Sequence, residues 1–117
     1  MPLPTRILGR TGVEVTQLGF GAMEVRGQRI WKGRPCSDEQ ARTILTAVLE
    51  AGITLIDTAN CYGQWADGGV GGESEIVIGR WIRSRGVRDQ VVVATGQRYS
   101  HTRIRETSWS MSTGLVM

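Results

Sequence analysis

A carboxylate at the end of an apolar segment is the first candidate for chemistry in this chain of 117 residues. Asp57 follows Ile53-Thr54-Leu55-Ile56, a short β-branched run that predicts a buried parallel strand. Because strand side chains alternate between two faces, Asp57 shares a face with Leu55. In a parallel barrel that face is the lumen, and catalytic groups project from the carboxyl ends of the strands. The same Asp could instead cap the next loop by accepting backbone N–H groups, so both roles stay open here.

Two glycines in Gly19-Phe20-Gly21 are the nearest approach to a phosphate-binding motif. A dinucleotide-binding doubly wound domain carries G-x-G-x-x-G after its first strand, and a helix opens at once. Here Glu24 stands where the third glycine belongs, and a long loop precedes the next predicted helix. The pattern therefore disfavours a doubly wound sheet, and a tight turn at a strand end explains the glycines equally well.

The composition is that of an ordinary globular protein, with 40% hydrophobic and 21% charged residues. It excludes collagen-like and disordered classes. The net charge of +3 comes from Arg residues spread along the chain, whereas nucleic-acid binding needs clustered basic residues. The one basic group, around Trp31, is expected to form a solvated loop, so no nucleic-acid partner is predicted.

The two cysteines and the lengths of the apolar segments indicate the cellular compartment in which the protein is expected. Cys36 and Cys61 have neither CxxC spacing nor a nearby His, so the sequence predicts reduced thiols and no metal site. The first residues lack the apolar core of a signal peptide, and no apolar stretch approaches the roughly 18 residues of a membrane span. We expect a soluble cytoplasmic protein without a membrane partner.

Strands and helices alternate along the chain. Segments 6–8 and 13–15, around Gly9 and Gly12, predict an antiparallel hairpin, and Gly19-Phe20-Gly21 closes a brief strand. A helix over 38–51 is predicted from the capping box of Ser37 and Gln40, with Gly52 as its stop.

A second helix is predicted over 73–84, ended by Gly86, and a third buried strand over 91–94. The apolar residues of this second helix are Ile76, Ile78, Trp81 and Ile82. A further helix is indicated at 102–108. The strand centres near 18, 55 and 92 recur at an interval of 37 residues, which is typical of βα units feeding a parallel sheet.

The segment Gly52-Ile53-Thr54-Leu55-Ile56-Asp57-Thr58-Ala59-Asn60-Cys61-Tyr62-Gly63, followed by Ser74-Glu75-Ile76-Val77-Ile78-Gly79, resembles the aldo-keto reductase signature. That signature runs G-x-x-x-(I/F)-D-T-A-x-x-Y-G, then a Ser/Asn-Glu pair and a later Gly. The opening hairpin, Leu18-Gly19-Phe20-Gly21-Ala22-Met23 and Val91-Val92-Val93-Ala94-Thr95 are similar to the family's first and third barrel strands. The resemblance covers roughly residues 5 to 106.

The resemblance implies an α/β fold, a partial (β/α)8 TIM barrel with an N-terminal hairpin and about three βα units. A complete barrel takes about 250 residues, so we expect residues 1–117 to form a single incomplete domain. It also implies NADPH-dependent reduction of a small carbonyl substrate. Tyr62 matches the family's proton donor and Asp57 the Asp that supports it, while Gly21, Ala22 and Met23 match positions near the nicotinamide end of the cofactor.

Three departures from the family pattern bear on activity. The family's buried Lys follows Ala-Thr of the third strand, whereas Ala94-Thr95 precedes Gly96 here, and the sole Lys is Lys32. Arg98 is a poor substitute because a guanidinium does not deprotonate usefully. His101 stands too early to match the family's active-site His.

The second departure is the glycine-rich insertion 64–73, either a loop that shapes the substrate site with Trp65 as a wall or a flexible insertion. The third is the divergent tail 107–117, for which a truncated or frame-shifted reading frame is our preferred hypothesis.

Three functions remain open. The chain is either the N-terminal fragment of an aldo-keto reductase, inactive alone, or a non-catalytic module similar to the β-subunits of potassium channels, or a half-barrel that assembles with another chain. Exposed sheet edges would favour such self-association.

Overall fold

The computed structural model describes residues 2–25, 36–64, 68–96 and 114–116. An antiparallel hairpin opens the chain, formed by β1 (Thr5–Ile7) and β2 (Glu14–Thr16), with Arg6 opposite Val15. Gly12 lies in its turn with φ of 73°, a conformation that residues with a Cβ rarely adopt. The predicted hairpin is confirmed.

A four-stranded sheet forms the body of the molecule, in the order β3 (Gly19–Gly21), β4 (Leu55–Ala59), β5 (Val92–Gly96) and β6 (Gly114–Val116). The first three strands are parallel, as the regular βα interval predicts. β6 pairs with β5 antiparallel.

β6 corrects one expectation, that both outer strands of the parallel sheet would lack partners. Val116 pairs with Val93 and Gly114 with Thr95, so the outer edge of β5 is covered. A strand edge presents rows of backbone N–H and C=O groups, and an antiparallel segment satisfies them as well as a parallel one does. Among the described strands, β3 remains an edge.

The second parallel strand begins and ends two residues later than predicted, at 55–59 rather than 53–57. Asp57 is therefore the third of five strand residues and not the last. Strand pairing extends beyond Asp57 because the core accommodates the polar Thr58 side chain. Its hydroxyl is buried 2.8 Å from that of Ser74. The register also places Gly19, and not Leu18, beside Leu55.

Helix α1 (Asp38–Glu50) begins at the predicted capping box. The backbone amide of Gln40 donates to Ser37 Oγ at 3.1 Å, and the backbone amide of Ser37 donates to Gln40 Oε1 at 2.9 Å. Its core-facing residues are Ala41 and Leu45 rather than Ile44, which is 39% exposed.

Helix α2 (Glu73–Arg85) ends at Gly86, which has the predicted left-handed conformation with φ of 64°. Trp81 is fully buried and donates its indole N–H to Thr46 Oγ1 of α1 at 3.1 Å. Val77 lies in the core, whereas Ile76, predicted to be part of the apolar face, is 52% exposed. The contact with α1 selects which side of α2 is buried.

The hydrophobic core lies between the helices and one face of the sheet. Its buried members are Ala22, Val25, Cys36, Ala41, Leu45, Ile56, Val77, Ile78, Trp81, Ile82, Val87 and Val91. The other face carries Leu55, Asp57 and Ala59, which are half-buried or exposed. The predicted basic loop around Trp31, the predicted helix at 102–108 and all of the tail except residues 114–116 lie outside the described residues.

Candidate active site

Asp57 lies on the open face of the central parallel strand. The register sets Gly21 on one side of it and Ala94 on the other, so its flanking positions carry little or no side chain. The neighbouring residues of β4, Ile56 and Thr58, are buried against the helices. Strand alternation therefore presents the carboxylate to the side that a complete barrel would enclose.

The environment of Asp57 favours its neutral form. Partial burial raises the pKa of its carboxyl group above the usual range, because a carboxylate loses hydration when it is shielded from water. Within residues 2–25, 36–64 and 68–96, no backbone amide donates to this carboxylate. A loop cap would accept such bonds, and the choice between the capping role and the catalytic role stays a prediction.

Tyr62 lies in the turn that directly follows β4. Its amide donates to the Ala59 carbonyl at 3.2 Å, and its own carbonyl is 3.5 Å from the amide nitrogen of Ser74 at the start of α2. The backbone of Tyr62 is thus held from both sides at the carboxyl end of the sheet. Its side chain is half-buried.

The predicted cofactor segment follows β3 at the same end of the sheet. Gly21 lies beside Asp57, and within the described part of the chain no atom comes within 4 Å of the position that a Cβ would take there. Ala22 is completely buried, and Met23 is 38% exposed. Gly21 and Met23 are therefore open to a ligand, whereas Ala22 anchors the segment to the core.

Ser74 and Thr58 form a buried hydroxyl pair that sequence reasoning missed. Ser74 Oγ lies 3.0 Å from the Ala22 carbonyl oxygen and 2.8 Å from Thr58 Oγ1, and both side chains are nearly or wholly buried. The available signal was a Thr inside an otherwise apolar strand and a Ser near a helix start. Neither residue indicates which side chain it contacts until the tertiary fold is known.

Glu75 makes the corresponding link to the third parallel strand. Thr95 Oγ1 donates to Glu75 Oε1 at 2.5 Å, so the two residues after the α2 start, Ser74 and Glu75, contact different strands. Gly96 follows Thr95 and pairs with Ala59 on the open face. Among the described atoms, a Cβ at Gly96 would meet only the Ala59 Cβ, at 3.9 Å, which is an ordinary contact.

The ends of the glycine-rich insertion are held by specific contacts. Gly71 has φ of 94°, and a Cβ there would lie 2.9 Å from the Asn60 carbonyl oxygen. The Val70 amide donates to Glu73 Oε1 at 2.7 Å. Trp65, proposed as an apolar wall, lies outside the described residues, so the choice between a substrate-shaping loop and a flexible insertion stays a prediction.

Other classes of site find no support in the described part of the chain. It contains no group of three or more His, Cys, Asp or Glu residues that could hold a metal ion. No described helix is long and apolar enough to cross a membrane. Cys36 is buried and Cys61 half-buried, and the two are not joined by a disulfide. Arg98 and His101 lie outside the described residues.

Comparison with known proteins decides the family. The aldo/keto reductase family model matches residues 17–113, most of the chain. The chain belongs to the aldo-keto reductase family. Its fold is part of the (β/α)8 barrel of that family, as the sequence predicts: an aldo-keto reductase from Bacillus halodurans, AKR11C1 in its holo form, superposes with a TM-score of 0.60 at 31% identity.

Two curated relatives of this aldo-keto reductase chain differ in length. Aldo-keto reductase YhdN of Bacillus subtilis is 40% identical over 86 residues, which are 73% of this chain and 23% of that protein. An uncharacterised 11.2 kDa protein from the crtE 3′ region of Pseudescherichia vulneris is 37% identical over 91 residues, 77% of this chain and 82% of that protein. The Bacillus halodurans structure aligns with 87% of this chain and 29% of its own. The chain thus spans less than a third of each named reductase.

Proposed function

We propose that this chain supplies the N-terminal part of the active site of an NADPH-dependent reductase that converts aldehydes or ketones to alcohols. The observation that supports the proposal is the pairing of Gly21 with Asp57 on neighbouring strands, together with the turn of Tyr62 directly after the strand that carries Asp57. The sequence resemblance predicts these residues separately. The strand pairing and the following turn support a shared site for them.

The residues present fit the nicotinamide end of the cofactor. Gly21 leaves open space on the face that carries Asp57, and the exposed Met23 lies two residues further on. Bound NADPH would supply the hydride that adds to the carbonyl carbon. Gly21 and Met23 would form one wall for its nicotinamide ring, while the phosphate-binding part of the site belongs to segments beyond those matched here.

Tyr62 would donate its phenolic proton to the carbonyl oxygen as that oxygen becomes an alkoxide. A phenol has an unperturbed pKa of about 10, so it needs charged neighbours to act as a general acid near neutral pH. Positive charge lowers the pKa of a phenol, whereas an ionised carboxylate raises it, so Asp57 alone would not make Tyr62 a stronger acid. The ammonium group that the family places beside this Asp has no counterpart at Gly96.

The missing ammonium and the limited length together predict that this chain alone has little or no reductase activity. We propose that residues 1–117 form one incomplete domain that needs further barrel strands, from a continuation of its own chain or from another chain, to enclose the open face. A second copy is a candidate for that role because Leu55 and Ala59 on the open face are only half-buried.

NADPH oxidation with 4-nitrobenzaldehyde tests the proposal in this chain and in a version extended through any downstream barrel sequence. We expect turnover only in the extended form and its loss in Tyr62→Phe, which removes the proton and keeps the ring. Cofactor fluorescence that responds without turnover in the extended form would favour the non-catalytic module. Turnover unaffected by Tyr62→Phe would refute the proposed role of Tyr62.

Sedimentation velocity tests the assembly of half-barrels directly. The open sheet face predicts that the sedimentation coefficient of the 117-residue chain rises with concentration. A monomer at all concentrations, together with a cooperative urea transition, would contradict that expectation.

A further inference from the structure

The Ser74 hydroxyl joins two segments of the candidate site within the core. Its oxygen lies 3.0 Å from the Ala22 carbonyl oxygen and 2.8 Å from Thr58 Oγ1, and Ser74 is completely buried. A carbonyl oxygen can only accept, so the single hydroxyl proton of Ser74 must point to Ala22. Thr58 therefore donates to Ser74, and the two hydroxyls form a directed chain from Thr58 through Ser74 to Ala22.

Ala22 is fixed by hydrogen bonds at both of its backbone polar groups. Its amide donates to the Asp57 carbonyl at 2.8 Å. Its carbonyl accepts from Ser74 Oγ and, at 3.1 Å, from the Val25 amide. Ala22 and Val25 are both completely buried. These bonds set the direction in which the chain leaves β3, and so determine where Gly21 and Met23 lie relative to Asp57.

The backbone of Ser74 also contacts the turn that carries Tyr62. Its amide nitrogen lies 3.5 Å from the Tyr62 carbonyl oxygen, a long contact that nevertheless places the start of α2 against the Tyr62 turn. The helix is itself held in the core by Trp81 and Ile78. Ser74 thus links both the Ala22 segment and the Tyr62 turn to helix α2.

We propose that Ser74 is a positioning residue, which sets the 21–23 segment at the carboxyl end of the sheet through its hydrogen bond to the Ala22 carbonyl. Its meaning for catalysis rests on the proposed function, because Gly21 and Met23 matter to a reaction only if the nicotinamide cofactor binds beside them. Its effect on the geometry of the segment does not depend on any ligand.

Three matched variants separate positioning from general stabilisation. Ser74→Ala removes the donor to Ala22. Thr58→Val removes the other end of the hydroxyl chain, keeps the side-chain shape and leaves the bond from Ser74 to Ala22 intact. Ser84→Ala removes a Ser hydroxyl of the same helix that bonds only to the Trp81 carbonyl, at 2.9 Å. All three lose a hydrogen bond, but only the first releases the 21–23 segment.

Amide hydrogen exchange of the 117-residue chain, followed by NMR at Ala22 and Val25, is the deciding measurement. After correction for each variant's global stability, we expect Ser74→Ala to accelerate exchange at these amides roughly fivefold or more, the effect of losing one hydrogen bond. Thr58→Val and Ser84→Ala should leave the corrected rates within about twofold of the wild type. Equal acceleration in Ser74→Ala and Thr58→Val, or none in either, would overturn the proposal.

A fourth variant covers the case in which Ser74→Ala does not fold. Ser74→Cys keeps nearly the same shape with a weaker donor, so its corrected exchange at Ala22 should be faster than that of Thr58→Val. The reverse order would overturn the proposal. NADPH titration of the extended chain reports separately on the proposed function, since absence of binding there leaves the exchange result at Ala22 unaffected.

Discussion

The amide of Ala22 donates to the carbonyl oxygen of Asp57 at 2.8 Å, which joins the segment after the first parallel strand to the middle of the second. The backbone of Asp57 thus holds the predicted cofactor segment, while its side chain faces the open side of the sheet. Gly21 and Asp57 are adjacent in the register because of this ladder. The geometry of the candidate site therefore depends on backbone pairing before any ligand is present.

Replacing Asp57 with Asn should remove a pH dependence of stability. Burial raises the pKa of Asp57 in the fold, so the folded state keeps a proton that the unfolded chain releases above about 3.8. Wild-type stability should therefore fall as the pH rises from that value through the raised pKa, and the loss is complete above it. Asp57→Asn should lack this decline and be slightly more stable than the wild type at neutral pH, since solvent screens the partly exposed group.

Urea titrations of the wild type and Asp57→Asn across the acid range measure this difference. A wild type that gains stability relative to the variant as the pH rises would show the opposite sign and refute the prediction.

Introducing Lys at Gly96 should lower the pKa of Asp57. The position is on the open face next to Ala59, and its Cβ would make only one ordinary contact, at 3.9 Å, so the change should not disturb the strand. An ammonium group near a carboxylate stabilises the charged form. NMR titration of the Asp57 carboxyl carbon measures the shift.

Gly96→Met is the matched control for this substitution, because it adds a long side chain without charge and should not lower the Asp57 pKa. A shift of the same size in both variants would show that charge is not the cause. In the chain extended with barrel sequence, Gly96→Lys should also raise reductase turnover.

Ser37→Ala should destabilise the protein by about 1 kcal/mol, because it removes one of the two reciprocal bonds of the capping box and leaves the Gln40 amide without its partner. Thr43→Ala is the control, since the Thr43 hydroxyl bonds only to the Glu39 carbonyl within the same helix, at 2.9 Å. That change should be nearly neutral, as Ala is the better helix former. Comparable shifts in the urea midpoints of both variants would disprove a capping effect.

Gly71→Ala should cost more stability than Gly12→Ala, although both residues have a left-handed conformation, with φ of 94° and 73°. Each substitution strains the backbone by about 1 kcal/mol. At Gly71 the new Cβ would also lie 2.9 Å from the Asn60 carbonyl oxygen, whereas at Gly12 nothing lies within 4 Å. We expect a total loss of about 2–3 kcal/mol at Gly71 from strain and overpacking together. Thermal unfolding of the two variants measures the difference, and equal losses would show that the insertion end is not tightly packed.

Local sequence signals predicted the elements well but not their inner faces. Ser37 and Gly86 marked the start of α1 and the end of α2, because capping and left-handed stops depend only on neighbouring residues. Helical spacing also predicted Ile76 as part of the apolar face of α2, yet its side chain is 52% exposed. Which side of an amphipathic helix is buried depends on the partner it packs against, and α1 and α2 pack against each other.

The candidate site likewise contains residues that the sequence identified and others that it did not. The resemblance singled out Asp57, Tyr62 and the 21–23 segment from the residues alone. It offered no role for Thr58, whose burial depends on a hydroxyl sixteen residues away in the sequence. It also left the outer edge of β5 unpaired, where β6 in fact lies.

The sequence by itself indicated the family, the order of strands and helices up to β5 and the candidate catalytic pair, because these follow from local motifs and a regular βα interval. Only the tertiary structure decided that Asp57 lies on the open side of the sheet and that the Ser74 hydroxyl donates to the Ala22 carbonyl. Both depend on strand register and on contacts between residues distant in the chain, which no local pattern encodes.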